Sequence, residues 1–290
     1  MGPVHLEGRR LGRRPTRPLL DSATTGAYHA RALLAGFVAY LTLPLAVTCL
    51  FAVATTWTTT VLPAGLTLEW VERTVSEPRF AKTLARSLLL RAAVIVLDLV
   101  LVEPALVALT VRRARWQPLL DVASLLPYTM PGVVLALAVI RFYGAVLPAL
   151  LGTPWLLAAA HAALALPIVY WAVLNNLRAI RLHELYDAAL LSGARWPHIL
   201  AFVVFPNIRT GMAIAAVAGF AASFTDFAVA NFVVGAGWLT FSVWQGSLIR
   251  TNSHLMAVTS IVSLVVTLAT TLALMRLARG AALGPTQARD

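Results

Sequence analysis

Long apolar stretches separated by short polar segments dominate this chain. Six of them reach the roughly 20 residues that a helix needs to cross a bilayer. They lie near residues 32–56, 83–110, 118–142, 155–177, 208–234 and 255–277. The stretches are continuous, whereas barrel strands alternate in polarity over about ten residues. We therefore predict an all-α, polytopic membrane protein with six transmembrane helices.

Composition supports residence in a membrane. Hydrophobic residues make up 59% of the chain and charged residues only 12%, against about 25% charged residues in a soluble domain. Cys49 is the only cysteine, so neither a disulfide framework nor a cysteine-based metal site is possible within one chain. We expect no metal site and no bound cofactor in this chain.

The positions of the basic residues predict the orientation. The net charge of +11 comes almost wholly from arginine, and sixteen arginines lie in the termini and loops on one side of the predicted spans. The other side receives Arg73, Arg79, Lys82 and Arg250. Because basic residues mark the cytoplasmic side, both termini and the 178–207 loop are predicted to be cytoplasmic. Arginines grouped at span ends are a topology signal, so we expect no nucleic-acid partner.

The 178–207 loop contains a polar island with a distinctive pattern. Its residues 184–206 read ELYDAALLSGARWPHILAFVVFP. The first part favours a helix, with Glu184 in the first turn and Asp187 followed by Ala188 and Ala189. Small alanines let another surface approach the backbone closely. Gly193, followed by Ala194, predicts a sharp turn. A second helical stretch is expected from about 195 to 204, and Pro206 ends it or opens the next membrane helix.

This pattern, at this place between the fourth and fifth spans, resembles the EAA loop of permease subunits in binding-protein-dependent type I ABC importers. Asp187 stands where that family most often has glutamate. Residues 115–132 look like the family's third span. Residues 223–227 and 239–243 resemble the C-terminal part of permeases that import polyamines, ferric iron or 2-aminoethylphosphonate.

The resemblance implies a MetI-like fold and an ATP-driven import complex in the bacterial inner membrane. In such a complex a second permease, identical or homologous, accompanies two ATP-binding subunits, which hold ATP and Mg, and an external solute-binding protein. The expected domains are a basic cytoplasmic tail (1–31), the permease domain (32–278) with coupling loop 184–206, and a cytoplasmic tail (279–290). The residues expected to contact the ATPase are Glu184, Asp187, Ala188, Ala189, Gly193, Ala194 and Pro206. Which solute is carried stays open.

The sequence lacks the motifs of other chemistries. The only lysine, Lys82, follows Ala81, so the Gly-Lys-Ser/Thr pattern of a phosphate-binding loop is missing. The six histidines form no metal-binding spacing, and His161 is expected to bond a neighbouring helix. We predict no catalytic residues. A secondary transporter or channel without an ATPase partner is the alternative, but it leaves the polar loop unexplained.

Several charged or helix-breaking residues fall inside the predicted spans. Arg91, Asp98 and Glu103 lie in the second span and are expected to face protein or water, because a charge at the bilayer centre costs about 2.5–3.5 kcal/mol. Four further residues are pathway candidates: Asp226, Pro131, Gly132 and Arg141. Asp226 is placed deep in the fifth span, where it either meets the solute or pairs with Arg141 or a backbone group. Breaks are expected at Pro127 and at Pro131–Gly132.

Overall fold

The computed structural model describes residues 19–282 except Thr59 and Arg113. Side chains are not described for residues 19–28, 112, 114 and 277–282. Residues 1–18 of the predicted N-terminal tail and 283–290 of the predicted C-terminal tail therefore lie outside the described part. By its internal contacts the chain divides into two units, residues 1–50 and 51–290.

The described residues are almost entirely helical. The α-helices are α1 (Leu19–Ala52), α2 (Glu69–Ser76), α3 (Pro78–Arg112), α4 (Gln117–Thr129), α5 (Gly132–Val146), α6 (Pro154–Ala179), α7 (Leu182–Leu191), α8 (Trp196–His198), α9 (Phe205–Phe224), α10 (Ala228–Val233), α11 (Phe241–Leu248) and α12 (Ser253–Ala282). A π-helical segment, Ile199–Val204, joins α8 to α9. Within the described residues there is no strand, only an isolated bridge between Ala54 and Leu66.

Five of these helical segments are long and apolar enough to cross a membrane. They are His29–Ala52, Pro78–Val111, Pro154–Ala179, Trp196–Phe224 and Ser253–Arg276. The pair α4 and α5 meets the same test only when its two helices are counted together, which makes up to six spans in the described part of the chain. The prediction of an all-helical polytopic membrane protein is confirmed.

Helix α6 lies at the centre of the 51–290 unit. It packs against α3, α4 and α9, and α10 packs against α5 and α6. Thr153 caps its start by accepting a hydrogen bond from the Leu156 amide at 3.3 Å, and Pro154 occupies the first turn, where its missing N–H costs nothing. Buried residues occur along nearly its whole length, so α6 is the scaffold on which the other helices are arranged.

The third predicted span, 118–142, is not one helix. Helices α4 and α5 meet at an angle of 98°. Pro127, which we expected to be a break, lies inside α4. The break falls at Met130, whose extended backbone (φ −95°, ψ 134°) is the conformation favoured before a proline. Pro131 then caps α5, and its carbonyl accepts from Val134 N at 2.8 Å.

The fifth predicted span, 208–234, is displaced along the chain. The long helix runs from Trp196 to Phe224, because the π-helical segment carries the helix across Pro206 without interruption. The wider π turn accommodates the proline ring, which otherwise clashes with the carbonyl four residues earlier. Pro206 lies in the first turn of α9, which is the second of the two predicted alternatives, and α9 is continuous with the π-helical segment before it. Asp226 lies beyond the end of α9 rather than inside a span, which corrects our placement of this residue.

Candidate functional site

The predicted coupling loop folds as two helical arms joined by a fixed turn. The first arm, α7, follows α6 through a two-residue connection. Arg181 in this connection adopts a left-handed backbone conformation (φ 50°, ψ 53°), which is uncommon for a residue with a side chain. Its guanidinium donates to Glu184 Oε1 at 3.3 Å, and Glu184 N donates to the Arg181 carbonyl at 3.0 Å. These contacts set the direction in which α7 leaves α6.

Helix α7 has one packed face and one open face. Leu182 is buried, and Tyr186 and Ala189 pack against the same apolar cluster, which joins α3, α6, the π-helical segment and α9. The opposite face is exposed and consists of Glu184, Asp187, Ala188, Leu190 and Leu191. Leu191 is 91% exposed. An anchored helix with small and apolar residues on its free side is suited to receive another protein surface.

The turn after α7 is a Schellman motif, the hydrogen-bonded C-terminal cap in which one residue is left-handed. Gly193 has φ +77°, and its N–H donates to the Leu190 carbonyl at 2.9 Å. Ala194 N donates to the Ala189 carbonyl at 3.1 Å. Nothing lies within 4 Å of the position that a Cβ of residue 193 would take. Glycine is therefore required here by backbone conformation alone, as the predicted sharp turn implied.

The second arm is held against the first by side-chain packing. The rings of Tyr186 and Trp196 meet edge to face, with centroids 6.0 Å apart. Ile199 and Val204 are fully buried, whereas Phe202 and Pro206 are exposed. The structure thus places six of the seven residues expected to contact the ATPase close together in α7 and its turn. Pro206 lies further along, in the first turn of α9.

A second site is an ionic network inside the helix bundle. The guanidinium of Arg91 on α3 lies 2.7 Å from Nδ1 of His161 on α6. The other ring nitrogen of His161 lies 3.1 Å from Oδ2 of Asp226. Arg91 and His161 are completely buried, and the Asp226 side chain is 19% exposed. The Asp226 carboxylate on the far side of the His161 ring partly offsets the cost of burying the Arg91 charge. Arg91 Nε and Nη2 have no hydrogen-bond partner among the described residues.

Asp226 also organises the backbone around it. Its Oδ2 accepts hydrogen bonds from the amides of Val229 (3.0 Å) and Ala230 (3.3 Å), which caps the start of α10. Its own carbonyl accepts from the Ser242 hydroxyl at 2.8 Å. A Cβ placed on Gly132 would lie 4.0 Å from Asp226 Oδ1. The break between α4 and α5 therefore abuts the break between α9 and α10.

Three of the four pathway candidates lie together in the structure, and the fourth does not. Pro131, Gly132 and Asp226 are brought to one place by the two abutting breaks. Arg141 is exposed on α5 and makes no ion pair in the described residues, so the pairing of Asp226 with Arg141 that we considered is wrong. The alternative, pairing with backbone groups, is what the structure contains. We predicted that His161 bonds a neighbouring helix. The sequence did not indicate that this residue contacts both Arg91 and Asp226.

Asp98 and Glu103, the two acidic residues of the second span, are also buried. Neither forms an ion pair with a basic residue in the part of the chain that the structure describes. Asp98 is 4% exposed and Glu103 is fully buried on α3. Asp98 Oδ2 and both carboxylate oxygens of Glu103 have no hydrogen-bond partner among the described residues. The expectation that these residues face protein is confirmed. No group of three or more metal-ligating side chains occurs in the part of the chain that the structure describes.

The predicted external segments are structured as well. The His254 ring stacks between the rings of Phe51 and Trp70, with centroids 4.4 Å and 4.7 Å away. His254 Nδ1 donates to the Phe51 carbonyl (3.0 Å), and Trp70 Nε1 donates to the Ala54 carbonyl (2.9 Å). These contacts tie the segment before α2 to the start of α12.

The segment between α10 and α12 departs from one expectation. Trp238 and Trp244 lie in the stretch 235–254, which the arginine distribution predicts to be external. Such tryptophans are typical of an interfacial short helix or re-entrant segment at headgroup level. Trp238 does meet a charge, since the Arg86 guanidinium lies 5.4 Å from its ring centroid. Trp244 on α11 is 2% exposed and packs edge to face against Phe80 and Phe241. It is a core residue because α11 folds back into the bundle beside α3.

Comparison with known proteins identifies the family and the fold of this chain. Residues 102–282 match the family described as "Binding-protein-dependent transport system inner membrane component". The match covers more than half of the chain, so the chain belongs to this family. It is accordingly a multi-pass inner-membrane protein and a transport subunit rather than an enzyme. Membership implies a solute-binding protein and an ATPase as partners.

A solved structure has the same fold. It is the crystal structure of a bacterial ABC transporter involved in the import of the acidic polysaccharide alginate. The match covers 92% of this chain and 100% of that chain, with a TM-score of 0.60 and 13% sequence identity. At this identity the likeness concerns the fold, which is that of a MetI-like ABC importer permease.

Proposed function

We propose that this permease subunit receives ATP-driven motion through the segment 182–206, which contacts a separate ATPase subunit. The observation that carries the proposal is the geometry of α7. One face is packed into the bundle through Leu182, and the opposite face presents Asp187, Ala188 and Leu191 to a partner. The Schellman turn at Gly193 holds the second arm, so a push on α7 is passed to α9.

The residue types fit this role. Ala188 adds little bulk, so a groove on the partner can approach the helix backbone closely. Leu191 supplies apolar surface that stays in contact with solvent until a partner covers it. Asp187 supplies a charge at the rim, where charges set orientation and association rate more than affinity. Because α7 is joined to α6 by only two residues and the second arm is continuous with α9, movement of this segment reorients two spans.

Family membership and the arginine distribution support a proposal for the rest of the assembly. We propose cytoplasmic termini and a cytoplasmic 182–206 segment. We also propose two ATP-binding subunits that hold ATP and Mg, a second permease, and an external solute-binding protein. The transported solute is proposed to be a polyamine, 2-aminoethylphosphonate or ferric iron. Similarity of residues 223–227 and 239–243 to permeases for such solutes supports this choice.

The proposed pathway passes the two abutting breaks, at Pro131–Gly132 and at Asp226. Irregular backbone at membrane depth is tolerated where it lines a cavity or is buried in protein, and Asp226 offers a negative charge to a cationic or amine-bearing solute. Asp226→Asn tests this step, with uptake compared at equal amounts of assembled importer. Uptake equal to that of the unaltered importer would refute a role for Asp226 in solute passage.

Ala188→Arg tests the coupling role. A long charged side chain on the open face of α7 is expected to abolish co-purification of the ATPase with this chain and to abolish uptake. The matched control is Ala81→Arg, an exposed alanine near the start of α3, which should leave ATPase co-purification intact. Normal co-purification with Ala188→Arg would contradict the proposal. Uptake that continues after loss of the ATPase would instead favour a secondary transporter or channel.

A further inference from the structure

A cavity of about 400 Å³ opens where α3 and α6 end and α4 and α7 begin. Its apolar wall includes Leu174 and Leu177. Its polar wall includes Gln117, Arg178 and Arg181. None of these residues belongs to the network around Asp226 or to the exposed face of α7.

An apolar groove adjoins this cavity. Helices α3 and α4 both pack against α6, and the hollow between them, about 290 Å³, has Leu166 and Tyr170 of α6 as its floor. A further hollow of about 340 Å³ shares Leu109 and Leu120 with it. The groove extends along α3 from Leu101 to Leu109, a length of about 12 Å at 1.5 Å per residue.

The groove and the cavity meet at one corner. Leu109 lines the groove and its neighbour Thr110 lines the cavity. On α4, Leu120 lines the groove, and Gln117, one turn earlier, lines the cavity. An elongated apolar channel thus ends in a basic, polar recess, a combination that matches an acyl chain attached to an anionic headgroup.

The charges in the recess favour an anion. Arg178 is exposed at the end of α6 and has no ion-pair partner among the described residues. Arg181 is paired with Glu184, but both side chains of that pair are mostly exposed, so the pair is weak. Asp121 on α4 forms no ion pair with either arginine; its carboxylate accepts hydrogen bonds from the Tyr170 hydroxyl at 2.6 Å and from the Gln117 amide at 3.3 Å.

We propose that this recess and groove bind one anionic phospholipid of the inner leaflet. The phosphate lies at Arg178 and Arg181, and an acyl chain follows the groove between α3 and α4. Guanidinium groups match phosphate oxygens with two parallel hydrogen bonds, and basic pockets between membrane helices on the cytoplasmic side are suited to anionic headgroups. The proposal rests on the proposed orientation, which places this corner at the cytoplasmic face.

A lipid in this position contacts four helices at the point from which α7 departs. It bridges the end of α6 and the start of α7 across the strained Arg181 connection. It also fills the space that α3 and α4 leave between them. The bound lipid therefore stabilises the base of the segment that contacts the ATPase.

The experiment uses the purified importer and measures retained lipid by native mass spectrometry during titration with phosphatidylglycerol or phosphatidylcholine. The unaltered chain should retain one phosphatidylglycerol more tightly than phosphatidylcholine. Arg178→Gln should weaken this retention about fivefold, given about 1 kcal/mol per basic residue near an anionic surface. The matched control Arg209→Gln removes an arginine of α9 outside the recess and should change nothing.

A second pair of variants tests the groove without altering charge. Ala105, exposed on α3, lines the groove, so Ala105→Phe should reduce retention of phosphatidylglycerol. Ala269→Phe, at an exposed alanine of α12, should not. Glycerol phosphate, which lacks acyl chains, should not compete; equal competition would mean a site for free anions and would overturn the lipid assignment.

The proposal also fails if both lipids are retained equally or if Arg178→Gln and Arg209→Gln behave alike. These results are independent of the coupling proposal, which is read from ATPase co-purification. If the unaltered importer binds the ATPase but shows no lipid selectivity, only the lipid site is overturned. If Ala188→Arg still co-purifies with the ATPase and lipid retention is selective, only the coupling proposal is overturned.

Discussion

His161 Nε2 lies 3.1 Å from Asp226 Oδ2, and this contact joins the middle of α6 to the turn that ends α9. Arg91 of α3 contacts the other nitrogen of the same ring at 2.7 Å. Three helices are therefore connected through one buried imidazole. Because Asp226 also caps α10 and abuts Gly132, the network determines how both helix breaks are placed.

The first prediction concerns the energetic coupling in this network. Arg91→Met and Asp226→Asn should each lower the free energy of unfolding by about 3 kcal/mol, because each leaves an uncompensated buried group. The double variant should lose less than the sum, with a coupling energy of about 1 kcal/mol or more. The measurement is unfolding in detergent micelles, followed by tryptophan fluorescence.

The control for this cycle replaces a basic residue of α3 outside the network. Lys82 is exposed, so Lys82→Met and Asp226→Asn should be additive. Additivity in both cycles would show that Arg91 and Asp226 do not stabilise each other.

The second prediction concerns the crossing of α6 and α9. A methyl group on Gly211 would lie 2.5 Å from Asn176 Cβ, so Gly211→Ala should lower the free energy of unfolding by about 1–3 kcal/mol through overpacking. Gly219, on the same helix, has Val169 Cγ2 as its nearest neighbour at 3.6 Å. Gly219→Ala should be neutral or stabilise by up to about 1 kcal/mol, since alanine favours helix. Equal effects in thermal unfolding would contradict the described packing.

The number and type of helices could be predicted because the bilayer imposes a minimum apolar length on each span. The break at Pro131–Gly132 was predicted from the proline and glycine residues, but hydropathy alone does not indicate it, and the break before α10 was missed. Hydropathy remains high from 118 to 142 although the backbone turns by 98° at Met130. It also remains high beyond Asp226, because α10 buries Val229, Ala230 and Val233 in the protein and therefore carries mostly apolar residues, as a span does.

The coupling loop and the buried ionic network differ in how far apart in sequence their contacting residues lie. The turn at Gly193 was predictable because its hydrogen bonds reach only three and five residues back, from Gly193 to Leu190 and from Ala194 to Ala189. The network of Arg91, His161 and Asp226 joins residues 65 and 70 positions apart. Its pairing depends on how helices register against one another, and a single sequence does not encode that in any local pattern.

The third prediction distinguishes a structural role for Glu103 from a role in solute passage. Glu103→Leu removes two buried oxygens that lack partners among the described residues. It should raise the free energy of unfolding by about 1–3 kcal/mol and leave uptake unchanged. Glu103→Gln keeps polar atoms in the same place and should give no such gain. Loss of uptake together with raised stability would instead assign Glu103 to the pathway.

The fourth prediction separates backbone strain from coupling. Gly193 and Gly152 have similar positive φ values, +77° and +72°, and open space around the Cβ position. Replacing either with alanine should lower the free energy of unfolding by about 1 kcal/mol. Only Gly193→Ala should reduce solute uptake per ATP hydrolysed, since relief of the strain moves the second arm of the coupling segment.

A stronger change at the same position is Gly193→Pro. Proline fixes a negative φ and removes the N–H that bonds the Leu190 carbonyl. Membrane insertion should be normal, while stimulation of the ATPase by loaded binding protein should be lost. Retained stimulation would refute the coupling role of this turn.

The fifth prediction concerns Arg181, whose left-handed backbone costs about 1–2 kcal/mol for a residue with a side chain. Arg181→Gly removes that cost but adds about 0.5–1 kcal/mol of chain entropy, and the exposed pair with Glu184 contributes at most about 1 kcal/mol. The free energy of unfolding should therefore change little. Arg181→Val, with a branched side chain that disfavours this conformation, should lower it by about 2 kcal/mol. Arg181→Lys keeps the backbone requirement and the charge and should match the unaltered chain. If the valine and glycine variants unfold alike, the connection between α6 and α7 does not hold the conformation described here.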